Sequence, residues 1–340
     1  MPVKIGLMGF GRIGRNIFRI LHKRSDVQVA AISDTAEPEG LAYLLRFDTV
    51  LGRFPEKIRV RDGSLEVAGA AIPLLSGRRP GDVDWSEHGV EIVVEATARY
   101  RSRREIEGHL AAGARRVILC VPPVDPPDIT AVIGVNDGLL SASHRIISNA
   151  SCTAHCLGTI AKVLHEAFGI AEGFVTTVHA YTNAQRLADV PAEEMRGSRA
   201  AAENIIPAGT RAHELVMDLI PELRGRLGGL AMNVPVPDGS VIDFVARLER
   251  SVTAEAVNAA VREAAAGPMA GLIEYETEPI VSSDVIGNPH SAVFDSLGTM
   301  VLGDDMIKVL AWFDNGWGYA NRVVDLVRRL SALPSTESAR

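Results

Sequence analysis

The chain contains little cysteine, with three in 340 residues, and it has no excess of basic charge. So few cysteines exclude a disulfide-held scaffold and are typical of proteins from a reducing compartment. The 35 Lys and Arg residues against 42 Asp and Glu give a formal net charge of −7. Nucleic-acid phosphates need a basic binding surface, so we expect no nucleic-acid partner.

Long hydrophobic runs are missing as well. No stretch approaches the roughly 18 apolar residues that a membrane helix needs. The apolar stretch Val3–Met8 is short and is soon followed by glycines and arginines, unlike a secretory signal. We therefore expect a cytoplasmic protein that does not associate with a membrane.

What is present is the composition of an ordinary globular enzyme, with 47% apolar and 23% charged residues. That apolar content excludes a disordered chain. At roughly 150 residues per domain, the length predicts about two domains.

The first motif is a glycine-rich turn. Val3–Met8 is typical of a buried parallel strand, and it runs into Gly9, Gly11 and Gly14. Helical spacing then follows at Ile13, Ile17, Ile20 and Leu21. Gly9 would permit the tight turn, Gly11 a close approach to a pyrophosphate, and Gly14 the packing of helix on strand. A simple helix cap would explain the glycines equally well, so the context decides.

That context favours a dinucleotide site. Val27–Ile32 is predicted as the second strand, and Asp34 follows it, 20 residues beyond Gly14. A carboxylate there would bond the adenine-ribose hydroxyls and repel a 2′-phosphate, which favours NAD over NADP. The alternative for Asp34 is a turn former before Thr35. Further strands, with helical stretches between them, complete a predicted doubly wound parallel α/β sheet of the Rossmann type: Glu91–Glu95, Val117–Val121 and Arg145–Ser148.

A second motif predicts a reactive cysteine. Helical periodicity begins after Ser151 and stops at Gly169, so Ser151 is predicted as the N-cap and Cys152 lies in the first turn. Free N–H groups and the helix dipole favour a thiolate at that place. Cys156 lies one turn deeper and is predicted as a core residue. A metal site is also conceivable, but it fails because four ligands are usual and Cys120 is the only further cysteine.

A thiolate nucleophile needs a base, and His179 is the candidate. It stands at the end of the predicted strand Phe174–Val178, before a polar loop. The other eight histidines lack such a position.

With these motifs in place, the sequence resembles the phosphorylating glyceraldehyde-3-phosphate dehydrogenase family. The resemblance extends from Val3 to about Leu330. The motifs that carry it occur in family order and spacing: Gly9–Arg15, Ser148–Thr153, Thr176–His179, Asn204–Pro207, Trp312–Asn315 and Gly318–Tyr319.

The resemblance implies a chemistry. Cys152 would attack the aldehyde of glyceraldehyde 3-phosphate, and His179 would take the proton. Hydride would pass to NAD, and phosphate, as the oxyanion acceptor, would cleave the thioester to an acyl phosphate.

The resemblance also implies a domain plan. An NAD-binding domain would span 1–151, completed by a C-terminal helix at 317–335. A catalytic domain at 152–316 would hold an α+β fold with a mostly antiparallel sheet, including Leu230–Val236 and Val241–Leu248. The family is tetrameric, and Tyr181–Arg199 corresponds to its inter-subunit loop near the cofactor.

Asn315 matches the residue that fixes the nicotinamide amide, and Pro191 a position associated with NAD preference. The cofactor-binding residues that we predict are Gly9, Gly11, Arg12, Ile13, Gly14, Asp34, Thr97, Cys120, Pro191, Asn315 and Tyr319. The residues that we predict for the substrate and for phosphate are Ser151, Thr153, Thr182, Thr210, Arg211 and Asn233.

The phosphate pocket departs from the family pattern. Asn233 replaces an arginine that serves both phosphate sites, and asparagine cannot supply its charge. Thr182 remains in the substrate-phosphate loop, but its second threonine is Ala184. The family's Ser-Thr-Gly loop reads Gly209-Thr210-Arg211 here. We hypothesise that Arg211 restores part of the missing cation; the alternative is that Arg211 points to solvent.

Two further departures are Gly316, where a glutamate is usual, and His155, where an asparagine is usual. The altered pocket leaves other activities open: the same chemistry on erythrose 4-phosphate, arsenate as acyl acceptor in a detoxification paralogue, or an inhibitor-resistant isozyme. An alternative of another class is a non-catalytic NAD-binding protein.

Overall fold

The structure is a computed structural model that describes residues 2–333. The chain folds into two compact units. The first runs from the start of the described chain to Ala131 and includes Gly138–Ala150 and the chain from Ala320 on. The second comprises Val132–Asp137 and Ser151–Tyr319. The domain limits at 1–151, 152–316 and 317–335 stay a prediction, and residues 1, 334 and 335 lie outside the described part.

Among the described residues, the first unit contains a parallel sheet extended by antiparallel strands, three helices before residue 131 and most of the last described helix. Its strands are β1 (Val3–Met8), β2 (Val27–Ser33), β3 (Phe47–Asp48), β4 (Gly52–Arg53), β5 (Ile58–Arg61), β6 (Ser64–Val67), β7 (Ala70–Leu75), β8 (Ile92–Glu95), β9 (Arg116–Leu119), β10 (Ile129–Thr130) and β11 (Ile146–Ser148). Its helices are α1 (Arg12–Leu21), α2 (Pro38–Arg46) and α3 (Arg103–Ala111).

The nine strands of the main sheet follow the order β10-β11-β9-β8-β1-β2-β7-β6-β5 among the described residues. β1 pairs in parallel with β2 and β8, whereas β5, β6 and β7 form an antiparallel edge. β1 is apolar because it lies in the middle of the sheet, where Ile5 and Leu7 are fully buried. A Cβ on Gly6 would lie 2.5 Å from the ring of Trp85, so the bare backbone makes room for that side chain. The predicted Rossmann-type parallel sheet is confirmed.

The second unit has a sheet of seven described strands in the order β13-β14-β12-β15-β18-β17-β16. These strands are β12 (Ile170–Ala180), β13 (Ile206–Ala208), β14 (Leu227–Val234), β15 (Ser240–Leu248), β16 (Ile273–Glu276), β17 (Ala292–Leu302) and β18 (Met306–Phe313). Its helices are α4 (Cys152–Phe168), α5 (Ala212–Leu219) and α6 (Ala254–Ala266). Only β12–β14 and β16–β17 pair in parallel among these strands, which confirms the mostly antiparallel sheet.

The last described helix, α7 (Trp317–Ala332), ends in the first unit. There the Leu330 carbonyl accepts a hydrogen bond from Arg116 Nη1 at 3.1 Å, and Arg328 pairs with Asp26 at 2.8 Å. Short 3₁₀ turns lie at Ser86–His88, Asp137–Leu139, Met195–Ser198, Pro221–Leu223 and Ser282–Val285. Within residues 2–333, no helix is both long and apolar enough to cross a bilayer.

Candidate active site

The glycine-rich turn of the first unit has the shape of a pyrophosphate cradle. α1 begins at Arg12, with Gly11 as N-cap, and no side chain caps it. A Cβ on Gly14 would lie 2.3 Å from the Gly9 carbonyl oxygen, so only glycine fits there. A Cβ on Gly11 would meet no atom within 4 Å. This open backbone and the uncapped N–H groups of α1, including those of Arg12 and Ile13, fit the phosphates of a dinucleotide.

Asp34 holds this turn in place. Its Oδ2 accepts a hydrogen bond from the Phe10 N–H at 2.7 Å, and its Oδ1 accepts one from the Ala36 N–H at 2.9 Å. The carboxylate thus ties the turn to the end of β2 and remains partly exposed. The role of Asp34 in binding the ribose stays a prediction, and a partly exposed carboxylate after β2 is compatible with that role.

Thr97 lies against the turn and is hydrogen-bonded to the buried carboxylate of Glu95. A Cβ on Gly9 would lie 2.8 Å from Thr97 N. Glu95 Oε1 accepts hydrogen bonds from the Thr97 N–H at 2.8 Å and from the Thr97 hydroxyl. Cys120, also assigned to the cofactor, donates its N–H to the Glu95 carbonyl at 3.0 Å and is nearly buried.

Behind Glu95 lie two side chains that the sequence reasoning missed. Trp85 Nε1 donates to His109 Nδ1 at 3.0 Å, and His109 Nε2 lies 3.1 Å from Glu95 Oε2. Because the indole nitrogen can only donate, Nδ1 must accept, so the proton sits on Nε2 and is donated to Glu95. All three side chains are fully buried, and we call Trp85, His109, Glu95 and Thr97 the buried relay.

The reactive pair lies in the second unit. Ser151 caps α4, because its Oγ accepts a hydrogen bond from the Ala154 N–H at 3.1 Å, as predicted. Cys152 is therefore the first helical residue, and its Sγ lies 3.6 Å from His179 Nε2. His179 Nδ1 lies 2.6 Å from the Ala180 carbonyl oxygen. That carbonyl requires a donor, so Nδ1 carries a proton and Nε2 faces the thiol.

The neighbours of Cys152 differ in burial and in backbone conformation, and the role of Thr153 towards the substrate stays a prediction. Cys156 is completely buried, and burial raises the pKa of its thiol well above the usual value, which confirms it as a core residue. Thr153 is also buried. Ala150 has a φ of 50°, in the left-handed region that alanine avoids, so the backbone is strained close to the nucleophile. Among the described residues, no group of three or more His, Cys, Asp or Glu could hold a metal ion.

Asn315 is oriented by a residue that the sequence reasoning missed. Ser240 Oγ accepts a hydrogen bond from the Ala180 N–H at 3.0 Å and donates one to Asn315 Oδ1 at 3.2 Å. The Asn315 Nδ2 group is buried and has no hydrogen-bond partner among the described residues. A donor without a partner in such a place fits the carboxamide of a nicotinamide. Tyr319, on α7, packs edge-on against the ring of His155.

The residues predicted for phosphate make contacts within the chain, and their role towards phosphate stays a prediction. Asn233 lies opposite His179 in the β12–β14 pairing. Thr182 donates its hydroxyl to Gln185 Oε1 at 3.0 Å, and Thr210 Oγ1 accepts from the Ala212 N–H at 3.2 Å.

Arg211 occupies the N-cap position of α5 and is exposed. Its Nε donates to Glu214 Oε2 at 3.0 Å, so the guanidinium is committed to an ion pair one turn along its own helix. The hypothesis that Arg211 replaces the missing cation therefore gains no support from the geometry. Pro191 is exposed, and its predicted role near the cofactor stays a prediction.

A dinucleotide cradle together with a thiol–imidazole pair at a helix N-terminus defines an NAD-binding dehydrogenase with a cysteine nucleophile. Residues 3–103 match the family "Glyceraldehyde 3-phosphate dehydrogenase, NAD binding domain", and residues 151–315 match its "C-terminal domain". The chain belongs to the glyceraldehyde-3-phosphate dehydrogenase family, whose members are NAD-dependent oxidoreductases.

Individual relatives agree. The chain is 48% identical to the glyceraldehyde-3-phosphate dehydrogenase of Geobacillus stearothermophilus over 333 residues, covering 98% of this chain and 99% of the relative. It is 48% identical to glyceraldehyde-3-phosphate dehydrogenase 1 of Bacillus subtilis over 327 residues, with 96% and 97% covered. The enzyme of Streptomyces coelicolor is 47% identical over 329 residues, with 96% and 98% covered.

Proposed function

We propose that this protein oxidises glyceraldehyde 3-phosphate with NAD through a thioester on Cys152, and that inorganic phosphate releases the product as an acyl phosphate. The observation that carries the proposal is the reactive pair. Cys152 Sγ lies 3.6 Å from a ring nitrogen of His179 whose other nitrogen is tied to a backbone carbonyl. A thiol and a base held in this way can form and break a covalent bond to an aldehyde.

In the proposed reaction, the Cys152 sulfur bonds to the aldehyde carbon, and His179 Nε2 manages the proton of the resulting hemithioacetal. Bound NAD would supply the hydride acceptor that allows the hemithioacetal to be oxidised to a thioester. Asn315 Nδ2 would orient the carboxamide of the cofactor, and Gly11 would let the backbone approach its phosphates. Phosphate oxygen then bonds to the acyl carbon, the carbon–sulfur bond breaks, and the Cys152 thiolate is restored.

The test is substitution of the pair. Cys152→Ser should abolish oxidation yet leave NAD binding nearly unchanged, because oxygen is a far weaker nucleophile at neutral pH. His179→Asn should lower turnover by roughly 10²–10⁴-fold and slow alkylation of Cys152 at pH 7. Cys156→Ala is the matched control, since that thiol is buried, and it should keep both activities. A Cys152→Ser protein with a near-normal rate would refute the proposal, and so would loss of activity confined to Cys156→Ala.

The changed pocket favours a second candidate, the same chemistry with another aldehyde or acceptor. Asn233 and Ala184 both stand where the family pattern has phosphate-binding residues. Rates with glyceraldehyde 3-phosphate and erythrose 4-phosphate, each with phosphate or arsenate, separate these candidates. A preference for erythrose 4-phosphate or for arsenate would replace the leading proposal, and no turnover with any pair would leave an NAD-binding protein without catalysis.

We also propose a cytoplasmic homotetramer. The sheet of the second unit exposes large apolar side chains, with Phe174 at 73% and Leu302 at 72% exposure. Further exposed apolar side chains on its strands are Leu230, Leu297, Met300 and Met306. Such a surface is typical of a subunit interface. Light scattering on the purified protein should give four chain masses, and the mass of a single chain would exclude the tetramer. Cell fractionation tests the location.

A further inference from the structure

A pocket of about 500 Å³ opens in the first unit, at the edge of the sheet away from the glycine-rich turn. The first residues of three strands line it, Val3 of β1, Ile92 of β8 and Arg116 of β9. These strands pair in parallel, so their amino ends share one edge of the sheet, whereas Gly9 follows the carboxyl end of β1. We call this cavity the amino-edge pocket.

The amino-edge pocket carries an excess of positive charge. Among the described residues, its charged lining is three arginines and one carboxylate: Arg115, Arg116, Arg145 and Glu91. Glu91 Oε2 lies 3.6 Å from Arg115 Nη1. Asp128 accepts the Arg145 N–H at 2.7 Å, but it does not line the pocket and it is paired with Arg103 at 2.8 Å. Three cations against one anion leave two positive charges, in a chain whose net charge is −7.

Two of these arginines contact only uncharged acceptors within residues 2–333. Arg116 donates from Nη1 to the Leu330 carbonyl at 3.1 Å and from Nη2 to the Ala142 carbonyl at 3.3 Å. Arg145 Nε donates to the Arg115 carbonyl at 3.5 Å. Burial lowers the pKa of the Arg116 guanidinium, and the nearby charge of Arg115 lowers it further. A negatively charged ligand would offset this unfavourable concentration of charge.

The rest of the wall sets the size of that ligand. Val3, Ile92 and Leu333 are apolar, and Ser143 adds an exposed hydroxyl. A cavity of about 500 Å³ is far larger than one phosphate group and has the size of a small-molecule site. The pocket therefore fits an anion with several charges and leaves room for an organic body beside it.

We propose that the amino-edge pocket binds a diphosphate group through Arg115, Arg116 and Arg145, at a site apart from the glycine-rich turn. Guanidinium groups suit phosphate oxygens because they donate charge-assisted hydrogen bonds in pairs. Two sources share this chemistry, free pyrophosphate and the diphosphate of a nucleotide. The site lies wholly in the first unit, and its existence does not depend on the proposed oxidation.

Calorimetric titration of the NAD-saturated protein with inorganic pyrophosphate tests the site, because NAD keeps the probe out of the cofactor site. The wild-type protein should bind pyrophosphate, and Arg145→Ala should weaken binding by about tenfold or more, the effect of one lost charge-assisted contact. Glu91→Gln removes the one carboxylate and should tighten binding about two- to fivefold. Opposite signs in the two variants are expected from charge and not from a loosened fold.

Arg59→Ala is the matched control for lost charge. Arg59 is exposed on β5, at the far end of the same sheet, and does not line the pocket. Asn233→Asp is the second control, because it puts a negative charge into the predicted phosphate pocket of the second unit. Both variants should bind pyrophosphate as the wild type does. Loss of binding in either control, with wild-type affinity in Arg145→Ala, would overturn the inference.

Absence of binding by the wild-type protein would also overturn it, as would weaker binding in Glu91→Gln. Titration with uridine diphosphate, again with NAD bound, separates the two sources. Tighter binding than that of pyrophosphate, lost in Arg145→Ala, identifies a nucleotide, whereas equal or weaker binding identifies free pyrophosphate. Bound pyrophosphate should also raise the Tm of the wild-type protein more than that of Arg145→Ala. An equal rise in both proteins would place the ligand elsewhere and overturn the inference.

Discussion

The glycine-rich turn of the first unit takes its shape from backbone atoms, whereas the phosphate pocket predicted in the second unit depends on side chains. At the turn, Gly14 meets the Gly9 carbonyl so closely that any side chain collides. In the pocket, Ala184 and Gly209 are exposed. A residue can change there without disturbing a neighbour.

This difference explains where the chain departs from its family. A site built from backbone is tied to the fold, so a change in it costs stability and binding together. A site built from exposed side chains can change its residues, as at Ala184, while the sheet stays intact. Four predictions test this contrast.

The largest effect is expected at the buried relay behind the turn. His109→Ala should lower the free energy of unfolding by roughly 3 kcal/mol, because Glu95 Oε2 and the Trp85 N–H lose their buried partner. The affinity for NAD should fall as well, because Glu95, which binds Thr97, loses its hydrogen bond from His109. Denaturant unfolding and calorimetric NAD titration measure both, with the partly exposed His88→Ala as control. Unchanged stability and affinity in His109→Ala would mean that the relay does not brace the turn.

Gly11 and Gly14 of the turn should respond differently to substitution by alanine. Gly14→Ala should cost about 1–3 kcal/mol of unfolding free energy, since the new Cβ would lie 2.3 Å from a backbone oxygen. Gly11→Ala should leave stability within about 0.5 kcal/mol and weaken NAD binding roughly tenfold, because its methyl would occupy only the space meant for the pyrophosphate. Equal stability of the two variants would remove the distinction between packing and binding glycines.

A smaller effect is expected for cofactor choice. Asp34→Asn keeps one oxygen to accept the Phe10 or Ala36 N–H but removes the charge, so the preference for NAD over NADP should narrow by about tenfold. Glu39→Gln, which removes a charge from the neighbouring α2, should leave the preference as it is. Equal use of NAD and NADP by the wild-type protein would show that Asp34 does not select the cofactor.

The smallest effect is expected for an alanine-to-glycine substitution, made once next to the glycine-rich turn and once in the predicted phosphate pocket. Ala98, next to Thr97, has a φ of 59°, so Ala98→Gly should stabilise the protein by about 0.5–1 kcal/mol. Ala184→Gly, at the exposed pocket, should instead be neutral or slightly destabilising, because glycine gains freedom in the unfolded chain. Thermal unfolding of both variants decides. The same sign and size in the two would show that Ala98 carries no strain.

Much of the turn and of the reactive pair could be predicted from the sequence, because their signals are local. The spacing of Gly9 and Gly14 after an apolar run indicates the cradle, and a serine before helical periodicity indicates the cap at Ser151. The ion pair of Arg211 also has a local signal in the sequence, since Glu214 follows three residues later. The exposed ion pair of Arg211 favours the alternative in which its side chain points to solvent.

The rest depends on the path of the chain in three dimensions. Trp85 and His109 are 24 residues apart and lie on different elements, so no spacing joins them. Ser240 reaches Asn315 across 75 residues.

The double attachment of Asp34 restricts how this lineage could evolve. The carboxylate that would distinguish the two cofactors also anchors the Phe10 and Ala36 amides, so selectivity and structural integrity share one residue. A descendant that took up the 2′-phosphorylated dinucleotide by losing this side chain would loosen its own turn in the same step. A second mutation would have to supply new acceptors first. Cofactor exchange is therefore a two-step evolutionary path whose single-step intermediate is at a disadvantage.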